Sequence, residues 1–394
     1  VSAIVSNPRW LASCLVLSVA LAACAARPPA KKEPLGYLPR PTTSAEPLWL
    51  PFTVRAGRPV TSDPRERHLT ELRQLTFEGD NGRARFSADG RVLLFESSRG
   101  SERCAQLYTM DLESGRLTRV SSSPGRASSG AYVPPSGERI VFAQSAASNA
   151  SGVSCSAGAQ AGQGVWPSDP LKLFIAKADG SEPRELLSSP GQEAHAFVAT
   201  DGSRLGFTST RDGNAELYTA RLDGSDPVRM TYSSEDDLDG AFSPDGASVV
   251  WSTGSSLATM LGASAAEQDR TEQVWSPVRR ELMVAGPRGQ DPRFLTQNGR
   301  WNVAPGFLPG SRRVIFSSDV DSSHGSPNFE LYVVDASSPV PLATAAPELE
   351  RVTHFEGFDG LPTFSPDGSH LVFASSRHGG KPGAINLFLA RWVE

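Results

Sequence analysis

Apolar and polar positions alternate at a period of two in short bursts, and one pattern of bursts keeps returning. An aromatic residue leads a turn-like phrase at Phe86 (FSADG), Tyr132 (YVPPSG), Phe197 (FVATDG), Phe242 (FSPDG), Phe307 (FLPGS) and Phe364 (FSPDG). A run rich in Val, Leu, Ile and Phe follows each phrase, as in RVLLFESS from Arg91 and HLVFASSR from His370. A second run follows, such as ELYTARLDG from Glu216 or ELYVVDA from Glu330, and then a short outer one, such as RLTRV from Arg116 or LERVTH from Leu349. Alternation in bursts of this length predicts strands. The Pro-Asp-Gly steps predict hairpin turns, because proline presets φ, Asp caps the turn and glycine takes positive φ without strain. One repeat is then four antiparallel strands, a to d. Six such repeats around an axis predict an all-β, six-bladed β-propeller.

The ends of the chain suggest how the ring closes. The sixth repeat stops after strand c, at Glu394, whereas an orphan strand-d sequence, HLTELRQLT, occupies 68–76 ahead of the first repeat. Joined, they complete blade six and protect its open edge. The alternative is a fifth strand or a loop belonging to blade one. Thr76 favours closure, since it precedes Phe86 much as Thr231, Thr296 and Thr353 precede the aromatics of their next blades.

Ahead of this body lie two further segments. Arg9 precedes an apolar stretch from Trp10 to Ala23, the pattern of a secretory signal over residues 1–23. It ends in Leu21-Ala22-Ala23-Cys24, which resembles the bacterial lipobox; the resemblance implies cleavage before Cys24 and acylation of that cysteine. Acyl chains would then make the anchor, at about 0.8 kcal/mol per buried methylene. Ala25 in place of Asp leans towards the periplasmic side of the outer membrane. Residues 24–66 are proline-dense and predict an extended tether, with the propeller over 67–394.

Composition narrows the class further. With 36 Gly and 31 Pro in 394 residues, the chain has many turns and little room for long helices. A net charge of −5 disfavours a nucleic-acid partner. The 4 cysteines include no CxxC pair suited to zinc. Cys104 and Cys155 both fall in b–c connections, of neighbouring blades, and a disulfide between them is expected in an oxidising compartment, against the alternative of two free thiols.

The string LT…FSPDG…F.S.R.G…LY…DG…R.T resembles the propeller repeat of TolB-type proteins, with STRDGNAELYTARLDG at 208–224 the best copy. The resemblance covers about 67–394. It implies a non-enzymatic envelope propeller that takes a protein partner at the channel mouth, as TolB takes the lipoprotein Pal. This chain departs from TolB in showing no α/β domain before the propeller and in carrying its own lipidation signal.

Candidate binding residues follow from the repeat. The position five before each aromatic gives Asn81, Ala127, Gln192, Asp237, Asn302 and Asp359, with Glu193, Asp236, Asp239 and Trp301 beside them. A ring of amides and carboxylates at the channel mouth suits a protein or cell-wall ligand. The acidic run from Glu235 to Asp239, with Asp359 joining across the channel, is the one candidate for a divalent cation; no other cofactor is expected. Two insertions between strands b and c, 145–166 and 253–273, are rich in Ser, Ala and Gly and are either binding loops or decoration. There is no GxSxG elbow, HExxH or phosphate loop. The competing reading is a polysaccharide lyase or hydrolase with a metal at the channel carboxylates and His195. A monomeric ring is expected.

Overall fold

The computed structural model describes residues 53–101, 104–121, 125–145, 171–254, 280–322, 328–337, 348–378 and 384–394. It is an all-β propeller of six antiparallel sheets, with no helix among the described residues. The innermost strands are Asp80–Phe86, Ala127–Tyr132, Glu193–Val198, Asp236–Phe242, Asn302–Phe307 and Asp359–Phe364.

Sequence chemistry explains the turns. In the a–b hairpins of blades one, four and six, the Ser87, Ser243 and Ser365 hydroxyls donate to Asp89, Asp245 and Asp367 at 2.5–2.6 Å. The glycine that follows closes the turn onto the serine carbonyl at 2.9 Å, with φ near +70°. Six buried apolar clusters hold the ring, one at each blade-to-blade interface. The aromatic and branched residues of strands b and c alternate sides, so each blade contributes to both neighbouring clusters.

Ring closure is visible in both pairing and side-chain chemistry. Leu69–Gln74 pairs antiparallel with Asn386–Trp392, as strand d of blade six. In ordinary blades a threonine after strand d accepts a strand-c amide and donates to the preceding side chain. Leu331 N reaches Thr353 Oγ1 at 2.9 Å, and that hydroxyl donates to Glu330 at 2.6 Å. Thr76 does the same in blade six, accepting from Leu387 N at 2.8 Å and donating to Asn386 Oδ1 at 3.1 Å.

The packed body begins before residue 67, where the sequence placed its boundary. Arg58–Pro59 adds a fifth strand outside Leu69–Gln74. Ala56 is buried in the interface between blades six and one. Glu66 is buried too. Its carboxylate takes two bonds from Arg377 of blade six, at 2.9 and 3.1 Å, and one from His354 N in the connection leaving blade five, at 3.0 Å. The prolines before residue 67 hid this strap, because proline density reads as tether whether or not apolar residues such as Val54 and Ala56 pack between. Residues 1–52, with Cys24, lie outside the described residues.

Candidate functional site

The channel is lined by one special position in every blade. Each inner strand carries a β-bulge, and at it sits a residue with positive φ: Arg83, Ser129, His195, Asp239, Ala304 and Leu361, at 44–56°. Non-glycine residues rarely adopt this conformation, and bulges turn side chains off the regular alternation. The six line one small pocket, together with Arg85 and the residues that follow the other five bulges.

A single ion pair closes this pocket. Arg83 of blade one and Asp239 of blade four come from opposite sides of the ring, and Arg83 Nη1 meets Asp239 Oδ1 at 2.6 Å. Glu96 Oε1 lies 3.7 Å from Arg83 Nε and accepts Ser129 N–H at 2.7 Å. His195 Nδ1 stands 3.8 Å from Asp239 Oδ1. Burial works against the Asp239 charge, but the Arg83 guanidinium overrides it and holds that carboxyl below its usual range. Burial pushes His195 down to about 4, so its ring is neutral at pH 7. Only about 20 Å³ of free space remains, enough for a water-sized group.

Of the residues expected at the channel mouth, Asp239 lines the channel; the others lie elsewhere. Asn81, Glu193, Asp237, Asn302 and Asp359 are at most 1% exposed. They face the seams between blades: Asn81 Nδ2 donates to Ile385 O at 2.9 Å and Asn302 Nδ2 to Arg280 O at 2.8 Å. The backbone amides of Ala127, Asp237 and Asp359 bind the preceding blade likewise. Asp236 also staples a seam, accepting Ala215 N at 3.0 Å. In blade three the aromatic is displaced by one residue, so Glu193, not Gln192, holds the equivalent place; Gln192 N binds Thr210 Oγ1 at 3.0 Å. Trp301 is half-buried at the loop end, its amide on Asp319 Oδ1 at 2.8 Å. The acidic run therefore does not converge with Asp359. Among the described residues no group of three or more His, Cys, Asp or Glu is arranged to hold a metal.

A second repeat device, unread in the sequence, explains these seam residues. The arginine after strand b stacks on an aromatic pair and reaches the seam acid or amide. Arg99 lies over Tyr108 and donates to Asn81 Oδ1 at 3.0 Å; Arg211 lies over Tyr218 and reaches Glu193 at 3.3 Å; Arg377 lies over Phe373 and pairs with Asp359. Cys104 is disulfide-bonded; Cys155 lies outside the described residues, as do the insertions apart from their flanking strand ends.

No protein-family model matches the chain. A protein named TolB homolog from Chlorobium chlorochromatii is 26% identical over 178 residues, 45% of this chain and 32% of that protein. Another, from Chlorobium luteolum, is 24% identical over 229 residues, 55% of this chain and 43% of that one. Among solved structures, a protein assigned as TolB from Agrobacterium tumefaciens superposes with a TM-score of 0.52 at 15% identity, over 80% of this chain and 91% of that one. The chain is a TolB-type β-propeller. It spans less than half the length of either curated relative. The fold alone is shared with a gluconolactonase from Xanthomonas campestris, at TM-score 0.51 and 14% identity over 86% of this chain and 95% of that one.

In this TolB-type propeller the arginine device is confined to blades one, three and six; blades two and five have Ala146 and Val320 in its place in the sequence. Blade four has Ser255 in the sequence where the arginine would stand. Burial pushes Asp237 up to about 7. A carboxyl whose folded pKa is raised favours the native state at low pH and loses that contribution as pH climbs from about 4 through 7. Three units correspond to about 4 kcal/mol at most. Asp237→Asn should therefore gain on the wild type with rising pH in urea titrations between pH 4.5 and 8. Parallel stability curves would refute the assignment.

Proposed function

We propose that this chain is a TolB-like protein of the bacterial cell envelope, anchored by lipid at Cys24, and that it binds a protein partner at one end of its propeller without catalysis. The observation that carries the reading is a pair of exposed aromatics, Phe77 and Tyr232, on the connections between blades. The d–a and b–c connections leave one end of the blades; the a–b and c–d hairpins occupy the other. The entry strap spans the rim: Arg55 N and Ala56 N both donate to Leu112 O at 3.0 Å, just after strand c of blade one, while Arg58 lies opposite Gln74 and over the ring of Phe77 on the d–a connection.

The loop end has the character of a binding surface. Tyr232 is 76% exposed and Phe77 is 45% exposed, each under an arginine 4.6 Å from its ring. Both sit on d–a connections, and Glu78 and Glu356 are exposed on the same end. Exposed aromatics ringed by charge are common anchors for protein partners. Both long insertions also spring from this end, since their flanking strand ends Ser145 and Gly254 lie there. Binding is favoured over catalysis because the channel is closed by Arg83 and Asp239 and leaves no room for a sugar ring. Crosslinkers placed at the two ends of the ring, in cells producing the full chain, test the reading: discrete adducts are expected from the loop end.

A further inference from the structure

Three buried acids meet two arginines where the entry strap docks on blades five and six. Glu66 of the strap, Glu330 of blade five and Asp359 of blade six are each at most 3% exposed. Arg377 holds Glu66 through both arms of its fork and also donates to Asp359 Oδ2. Arg351 pairs with Glu330 at 2.8 Å. The cluster therefore has one acid more than it has guanidiniums. The charged groups around it do not make up the difference. Asp63 and Arg65 of the strap pair with each other at 2.8 Å, and Asp321 accepts from Arg351 at 3.1 Å nearer the surface. Burial, and then Arg351 and Arg65 beside it, lower His354, so its ring is largely neutral at pH 7.

The hydrogen bonds show which acid carries the extra proton. Both oxygens of Glu66 are served, by Arg377 and by the amides of His354 and Asp63. Both oxygens of Glu330 are served too, by Arg351, Asn328, Phe355 N and Thr353. Asp359 Oδ1 is buried with no hydrogen-bond partner. An ionised oxygen there is far more costly than a neutral one. Burial accordingly pushes Asp359 up to about 7, against the pull of Arg377 and with Glu330 adding to the rise. A raised carboxyl favours the packed state at low pH, and that contribution fades as pH climbs from about 4 through 7. Of the three acids, only Glu66 stands on a segment outside the four-stranded blades. We propose that residues 53–66 form a proton-sensitive latch, docked while this cluster holds its extra proton and loosened when the cluster gives it up. Once Asp359 ionises, two full carboxylates share Arg377 beside Glu330; lifting the strap withdraws Glu66 and lets water reach Asp359. The latch lies outside the channel and does not depend on the proposed partner.

Backbone hydrogen exchange of the full chain, read by mass spectrometry and corrected for the intrinsic effect of pH on exchange, tests this. Strap peptides carry the amides of Ala56 and Val60, which donate to Leu112 O at 3.0 Å and Leu72 O at 2.9 Å. Their protection in the wild type should fall roughly tenfold between pH 6 and pH 8.5. Asp359→Asn fixes the neutral form and should abolish that fall. Asp237→Asn removes a raised carboxyl at a distant seam and should leave the fall intact, which separates opening of the strap from unfolding of the whole ring. The proposal is overturned if strap protection in the wild type does not change with pH, or if Asp359→Asn shows the wild-type fall. It is overturned equally if Asp237→Asn flattens the fall, since the strap would then report only global stability. Where Asp359→Asn does not fold, the wild type and Asp237→Asn decide by the same criteria.

Discussion

Removing residues 53–76 should leave a chain that no longer unfolds as one cooperative unit. The deletion takes away strand d of blade six and exposes the edge of Asn386–Trp392. Leu69 and Leu72 are withdrawn from the interface of blades five and six, and Ala56 and Leu75 from that of blades six and one. Each buried leucine contributes roughly 1.5–3 kcal/mol. Loss of Glu66 leaves Arg377 with one carboxylate instead of two, which by itself costs about 3 kcal/mol or more. The sum falls within the roughly 5–15 kcal/mol that separates a folded domain from its unfolded state. Circular dichroism through a denaturant titration reads the outcome. A sharp transition at the wild-type midpoint would mean that these residues are not part of the ring. Glu66→Ala alone isolates the clasp, with an expected loss of about 3 kcal/mol.

Breaking the ion pair across the channel should cause the largest loss expected of a single substitution. Asp239→Ala leaves Arg83 buried, with Glu96 the nearest remaining carboxylate at 3.7 Å. Truncating one partner of a buried pair costs about 3–5 kcal/mol. The double variant Arg83→Met with Asp239→Leu removes both charges and should recover most of that loss, because an apolar pair of similar volume avoids the desolvation cost. Urea unfolding of the two single variants and the double one gives the coupling directly. Additive losses would show that the two side chains do not act as a pair.

The fold was legible because its period is written in residue types that have no other use. Phe-Ser-Pro-Asp-Gly makes a hairpin wherever it occurs, and Thr76 announced the closing strand by its spacing. The site was less legible, for a geometric reason. Reading strand a as a regular strand puts Asn81, Arg83 and Arg85 on one face. The bulge breaks that parity, sending Asn81 to the seam and Arg83 to the channel. Counting five back from the aromatic thus found the inter-blade staples; counting three back would have found Arg83, Asp239, Ala304 and Leu361. His195 fell outside even that count, because Phe197 is displaced by one position in blade three. Glu66 and its partner Arg377 lie 311 residues apart, and no local pattern links them.

The claim at the centre of this account is that the loop end of a closed TolB-type ring meets a partner. Photo-crosslinking residues introduced at Glu78 and Ser234, both exposed at the loop end, should each give discrete adducts in cells producing the full chain. The same residue at Asp201 and Ala247, exposed on the hairpins, should give none. Adducts from the hairpin positions, with none from Glu78 or Ser234, would contradict it.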